Sequence, residues 1–533
     1  MSPQLPASRR AVLAALGLLL LTALFIFLTY DQHGISNDEE VQHVYGRLLL
    51  DFHLSGFTDL RAFEYKNLYL YGGFFDLIAA VIERLFLPAS GPQVWEMRHL
   101  LSAVFGLAGL AGTWLLARRL AGDRAGLVAL LVLLLTGAWS GAMFTHTKDV
   151  PFATTMVWAL YFTVRIAPRL PNPAWSDRIG LGIALGCAFG LRVGAVFAVF
   201  YLAATLCAAA WLAGSDARAR LAFFARSLVA LLPAAVIALL LMGLFWPWSV
   251  MSPGNLFKAM TTFSHFAFQL HTILDAEVMN NGDAPAHYLL SYLLVRLPEF
   301  FLLGLLLALA GGLRLRGPHA LLCWLPVMLA ALFPLGYTLL AAPPLYNGLR
   351  HFTFLLPPLA VLSAAGHVGA WQCLARWPRF RLAALGACGL LVASHVQTLV
   401  LLHPYEYVAY NSLAGGLSGA VDRWEQDYWA SSLREAATQL NAYVARERAA
   451  GQVPQRPYSV AVCAESLQAS VWLDPQLVVT RDWWVADFFL APTHMDCDTA
   501  LQGTIIGQVE RKGVVLAVVR DRRQLSGEAR RPR

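Results

Sequence analysis

The chain has 533 residues, of which 58% are hydrophobic and only 14% charged, with a mean hydropathy of +0.55. That balance excludes a soluble globular or disordered protein and leaves a polytopic membrane protein, with the lipid bilayer as its first partner. The net charge of +7 is an arginine excess set in short loops between apolar runs, so it reports orientation in a membrane and points to no nucleic acid.

Apolar stretches long enough to cross about 30 Å of hydrocarbon recur near 11–29, 98–117, 126–144, 151–168, 179–191, 193–213, 228–246, 298–313, 319–340, 352–370 and 382–402. They predict an α-helical polytopic fold of about eleven transmembrane helices over residues 1–402, followed by a small soluble α/β domain over residues 403–533. The loops holding Arg118, Arg119 and Arg124, then Arg165, Arg169 and Arg178, then Arg218, Arg220 and Arg226, Arg314 and Arg316, and Arg376, Arg379 and Arg381 belong in the cytoplasm, as do Arg9 and Arg10. An odd number of spans then delivers the C-terminal domain to the exported side of the membrane. Ser8-Arg9-Arg10 before an apolar run, with no small-residue cleavage site ahead of Tyr30, reads as an uncleaved signal anchor.

The first exported loop, residues 30–97, is long and patterned. It opens with three carboxylates, Asp38, Glu39 and Glu40. Ser36 followed by Glu39 reads as a capping box, and Val41, Val44, Tyr45, Leu48 and Leu49 recur at helical spacing, which predicts an amphipathic helix along the membrane surface. Carboxylates also favour helix N-termini for electrostatic reasons alone, so the cluster is a candidate site and a candidate helix start at once. A second apolar stretch, Tyr71 to Pro88, is interrupted by Asp76, Glu83 and Arg84 and suits a second interfacial helix better than a span. Lys66, among aromatics at the same interface, is either a headgroup anchor or a phosphate ligand.

On the same side, His146-Thr147-Lys148-Asp149-Val150-Pro151 turns the chain from the third span into the fourth. Asp149 is there either a helix cap or a second acid facing Asp38, and Lys148 either its local counter-ion or an anion ligand. Arg192 lies between two short half-spans, and Arg350 with His351 begins the tenth span. A guanidinium near membrane depth needs an anionic partner, and a lipid phosphate that accepts paired hydrogen bonds fits it.

These residues resemble the GT-C superfamily of polytopic glycosyltransferases, in the branch of protein O-mannosyltransferases and lipid A aminoarabinose transferases. The resemblance spans about residues 10–400 and rests on Asp38-Glu39 after the first span, the interfacial helices of the first loop, Lys148-Asp149-Val150-Pro151, and Trp246-Pro247-Trp248. Asn347-Gly348-Leu349-Arg350-His351-Phe352 with Pro357-Pro358, and His403-Pro404-Tyr405-Glu406-Tyr407 with Asp427-Tyr428-Trp429, are similar to segments of an uncharacterised bacterial branch. The resemblance implies a GT-C-like fold and transfer of a sugar from a polyprenyl-phosphate donor to an acceptor on the exported side. It places Asp38 against the acceptor nucleophile, with Glu39 as its neighbour and Asp149 in the same cavity. The Lys-Pro-Pro-Leu segment of the relatives is absent, and Lys66 in Tyr65-Lys66-Asn67-Leu68 stands in its place.

The chemistry asks for the same residue types. Displacing a phosphate from an anomeric carbon needs a carboxylate to take the acceptor's proton and cations to hold the leaving phosphate. A single carboxylate acting as base opposite the leaving group gives inversion. The candidates are Asp38 as base, Asp149 and Glu39 as orienting acids, and Arg350, His351, Lys148, Arg192 and Lys66 as phosphate ligands. Asp38, Glu39 and Asp149 also form an oxygen set for a divalent metal, and the sequence leaves metal dependence open.

In the C-terminal domain a helix is expected around Ser431–Arg448, with strands near Tyr458–Ala464 and Leu477–Thr480 and a hairpin turning at Arg511-Lys512-Gly513. Cys463 and Cys497 are candidates for a disulfide there. Trp483 and Trp484 suit core packing or a sugar-stacking surface. A lipid or lipid-linked sugar flippase is the alternative from another class, since buried Arg and Asp between spans also suit a transport pathway.

Overall fold

The computed structural model describes residues 8–86, 91–264, 270–313 and 317–525. Eight helices among them are long and apolar enough to cross a membrane: Arg9–Gln32, Pro92–Ala121, Asp149–Arg169, Val193–Ala213, Ala217–Phe245, Pro318–Ala341, Arg350–Arg376 and Pro378–Leu402. Two bent pairs raise the count to ten, Asp123–Leu134 with Gly137–Thr145 at 73°, and Tyr288–Arg296 with Glu299–Gly311 at 114°. The protein is thus a multi-pass membrane protein. The remaining expected span, 179–191, is the 15-residue helix Trp175–Phe189, shorter than the roughly 20 residues of a full crossing.

The bends have local causes. Leu297 leaves the Tyr288–Arg296 helix in an extended conformation, ψ 135°, because Pro298 crowds a helical backbone in the residue before it. Helix starts are capped by side chains: Ser8 accepts from the Ala11 amide and Asp216 from the Ala219 amide at 2.9 Å. At the arginine-rich end of the bundle the cations find partners on the same end, Arg165 and Arg169 both binding Asp177 at 2.7 and 2.8 Å. Arg314, Arg316 and Pro88 lie outside the described residues.

The first loop folds into two helices, Glu39–Leu54 and Phe74–Phe86. They pack closely enough at Gly46 that a Cβ there would lie 2.4 Å from the Asp76 carbonyl oxygen, so the absence of a side chain sets their spacing. The polar interruptions read as marks of an interfacial helix, Asp76 and Glu83, face inward and are buried. Arg47 and His43 of the first helix meet Glu83, and burial together with the charges of Arg98 and Arg47 pulls the His43 imidazole down to about 3.

After the Ala217–Phe245 span the chain forms an antiparallel hairpin, β1 (His271–Leu274) and β2 (Glu277–Asn280). Neither strand was expected. Its two turn residues, Asp275 and Ala276, both have positive φ, without the Asn-Gly or Asp-Gly signal that normally marks such a turn.

The C-terminal part contains a five-stranded sheet of order β4-β3-β5-β7-β6. Its strands are β3 (Tyr458–Val462), β4 (Leu477–Val479), β5 (Phe488–Pro492), β6 (Thr504–Arg511) and β7 (Val514–Asp521). β3 runs parallel to β4 and β5, and β7 antiparallel to β5 and β6. The helix Leu433–Ala449 packs Leu433, Ala437 and Leu440 against Val460, Phe488 and Leu516 on one face. The other face gathers Ala461, Phe489 and Val518 with Trp483, while Trp484 is exposed. Cys463 and Cys497 are joined by a disulfide. Between the last span and this sheet, Tyr410 and Trp424 enter the core of the helical bundle, and Trp424 bridges to Leu274 of β1.

Candidate active site

The start of the Glu39–Leu54 helix assigns its two acids to different partners. The Ser36 amide donates to Glu39 Oε2 at 2.7 Å, but the helix cap is Asp38 and the Ser36 hydroxyl donates to the Thr145 carbonyl, so the expected capping box does not form. Glu39 Oε1 lies 3.4 Å from His99 Nε2. Glu39 is fully buried by these contacts. Asp38, at the cap position, makes no side-chain cap bond. Its side chain is 38% exposed and accepts a hydrogen bond from Arg350 Nη2.

Asp149 opens the Asp149–Ile166 helix ahead of Pro151 and is buried. Its Oδ1 accepts from Arg192 Nη2 and its Oδ2 from Arg350 Nε at 3.2 Å. One guanidinium therefore joins both predicted acids, using the planar fork that only arginine presents. Trp429 covers that guanidinium, which lies 4.0 Å from its ring centre, a cation–π contact in a site sheltered from water. The Trp429 indole N–H donates to His146 Nε2 at 2.9 Å, and the Tyr428 hydroxyl meets the same nitrogen at 2.7 Å. Burial pulls the His146 imidazole down to about 3, which keeps Nε2 free to accept.

Lys148 points elsewhere. Its ammonium is 3.7 Å from Asp76 Oδ2 and 4.7 Å from the Tyr71 ring centre, and burial pulls its pKa below the ordinary lysine range. Arg98 reaches Asp76 Oδ1 at 3.1 Å. This second cluster of Asp76, Lys148 and Arg98 is wholly buried. Lys66 is exposed, with its ammonium 5.8 Å from the Tyr65 ring, and takes no part in either cluster.

Beside Arg192 opens a cavity of about 490 Å³. Arg192, His351, Tyr71 and Tyr346 supply its polar side, and phenylalanine, valine, methionine and proline side chains most of the remainder. Arg192 lines this cavity while its Nη2 binds Asp149, so one residue links the cavity to the acid cluster. The three-carboxylate oxygen set does not converge, because Glu39 faces His99 while Asp38 and Asp149 face Arg350. Among the described residues no group of three or more His, Cys, Asp or Glu side chains is arranged to hold a metal ion.

Sequence reasoning brought Asp38, Asp149, Arg192, Arg350 and His351 to one region. It missed Tyr71, Tyr346 and the role of Trp429. The signal for Trp429 lay in the Asp427-Tyr428-Trp429 segment, an aromatic pair beside an acid, though nothing in its spacing points to an arginine in another element. Asp76 was visible as a charge interrupting an apolar helix, which in a buried setting demands a cation.

Residues 76–248 match the family model described as dolichyl-phosphate-mannose-protein mannosyltransferase. This segment, about a third of the chain, is similar to that family of membrane glycosyltransferases, in the direction of the resemblance drawn from the sequence. Among solved structures the fold is similar to ArnT from Cupriavidus metallidurans bound to undecaprenyl phosphate, at 16% identity and a TM-score of 0.44, covering 95% of this chain and 97% of that one. It is also similar to the oligosaccharyltransferase of Archaeoglobus fulgidus in its apo form, at 15% identity and a TM-score of 0.44, covering 86% of this chain and 63% of that one. The arabinofuranosyltransferase AftD from Mycobacteria is 14% identical with a TM-score of 0.42, covering 98% of this chain and 40% of that one. No curated protein matches the chain in sequence.

Proposed function

We propose that the protein transfers a glycosyl group from a polyprenyl-phosphate donor to an acceptor on the exported side of a bacterial inner membrane, with inversion at the anomeric carbon. The observation that carries this reading is the joining of half-exposed Asp38 to buried Asp149 through Arg350, beside an apolar cavity with Arg192 on its lining. The cavity accepts the first prenyl units and its polar side the phosphate. Arg192 and His351 hold that phosphate as the bond to the sugar breaks and charge gathers on the leaving oxygen. Asp38, the one exposed carboxylate of the cluster, takes the proton of the acceptor hydroxyl as its oxygen attacks from the opposite face. Asp149 holds Arg192 and Arg350 in place, and Arg350 holds Asp38.

In this reading residues 1–402 form the membrane-embedded catalytic domain, and residues 403–533 an exported α/β domain, with the N-terminus in the cytoplasm. The test is the purified chain in detergent with a radiolabelled polyprenyl-phosphate sugar and extracted acceptors, followed by determination of the product anomer. Transfer with inversion is expected. Lipid translocation in proteoliposomes without any sugar transfer would overturn the reading in favour of a flippase.

A further inference from the structure

The loop that carries Asp38 is held by the C-terminal part of the chain. The His33 carbonyl accepts from Arg434 Nη1 at 2.9 Å. Gly34 sits so close to Ser431 that a Cβ would lie 2.2 Å from the Ser431 carbonyl oxygen. The Ile35 carbonyl accepts from Gln468 Nε2 at 2.6 Å. That same Gln468 nitrogen donates its other hydrogen to the carbonyl of Trp429, at 2.7 Å. Gln468 is 1% exposed, and its Oε1 accepts from the Glu465 amide at 3.2 Å, so the orientation of the amide is fixed by three partners. Around it, Ile35, Val94 and Trp95 pack with Leu467, Val471 and Trp472.

One side-chain nitrogen therefore ties the backbone three residues before Asp38 to the backbone of the tryptophan that covers Arg350. Asp38 and Arg350 are the two halves of the bridging contact, and they reach it from elements far apart in the chain. We propose that Gln468 is a positioning residue for glycosyl transfer: it fixes Asp38 relative to Arg350, so that the C-terminal α/β unit is a working part of the active site. This rests on the reading of Asp38 as the base. Gln468 touches neither the cavity nor the acids, and its effect passes through geometry alone.

The test uses the full chain in detergent and compares Gln468→Met, nearly isosteric but without the amide, with wild type, Asp38→Asn and the double variant. Kinetic constants are measured against the lipid-linked donor. Gln468→Met is expected to lower kcat about 10- to 100-fold, the range that follows a displacement of about 1 Å in a reacting group, and to leave the donor KM nearly unchanged. The double variant should be no slower than Asp38→Asn alone, because a misplaced base costs nothing once the base is gone. A wild-type kcat for Gln468→Met, a donor KM that rises as kcat falls, or losses that multiply in the double variant would each overturn the inference. Undiminished transfer by Asp38→Asn would instead remove the reading on which it rests, a result distinct from these. Where Gln468→Met yields no folded protein, Gln468→Asn takes its place, since it keeps the amide but is one methylene too short to span both carbonyls.

Discussion

Asp38 accepts a hydrogen bond from Arg350, which lies 312 residues further along the chain. The same guanidinium binds Asp149 under the Trp429 ring, so three distant segments close on one charge. Removing it leaves Asp38 without this partner and Asp149 with Arg192 alone, so the stability cost falls below the roughly 3–5 kcal/mol of an uncompensated buried charge. Arg350→Ala is expected to lower the midpoint of thermal unfolding and to abolish transfer. Arg350→Lys, which keeps the charge but loses the fork, should restore much of the stability and little of the activity.

Arg192 differs from Arg350 in facing the cavity. Arg192→Gln is expected to raise the KM for the lipid-linked donor about tenfold or more, the loss of a hydrogen bond to a charged group being worth about 1.5–3 kcal/mol. Lys66→Ala removes an exposed side chain, and its donor KM should stay within about twofold of wild type. Steady-state kinetics with donor as the varied substrate checks both.

His146 gives a pH dependence of definite sign. Its imidazole is held neutral by burial, down to about 3 in the folded protein, whereas the unfolded chain takes up a proton near 6.5. The unfolded state then binds more protons as pH falls from about 6.5 towards 3, and stability declines across that window. A His146→Gln variant is expected to lose less stability than wild type between pH 6.5 and pH 4, measured by thermal unfolding. A steeper loss for the variant would contradict the assignment.

Several features of the site were legible in the sequence because they are local. The spacing of Val41, Val44, Tyr45, Leu48 and Leu49 announces the Glu39–Leu54 helix, and the Arg511-Lys512-Gly513 turn announces the β6–β7 hairpin, where Lys512 and Gly513 take the positive φ values such a turn requires. What the sequence could not reveal is pairing. Nothing local tells that Glu39 turns to His99, Lys148 to Asp76, or Trp429 to Arg350, since each partner comes from another element and burial alone decides which charges must meet. β5 was missed for a related reason. Phe488–Pro492 is buried along its whole length, so it lacks the alternation that marks a strand with one wet face.

The Cys463–Cys497 disulfide fixes the segment after β5 against the end of β3. Replacing both cysteines with serine is expected to lower stability by about 2–4 kcal/mol. Peptide mapping without reductant should recover the two cysteines in one linked fragment from protein isolated from the membrane. Free thiols at both positions would contradict an exported, oxidising location for this domain.

The account turns on Asp38 as the base, and the most direct measurement is kcat for sugar transfer by purified Asp38→Asn, which preserves size and a hydrogen-bond acceptor for Arg350. A fall of about 100- to 10,000-fold is predicted, the usual contribution of a general base, with the donor KM little changed. Transfer at the wild-type rate would contradict the central claim.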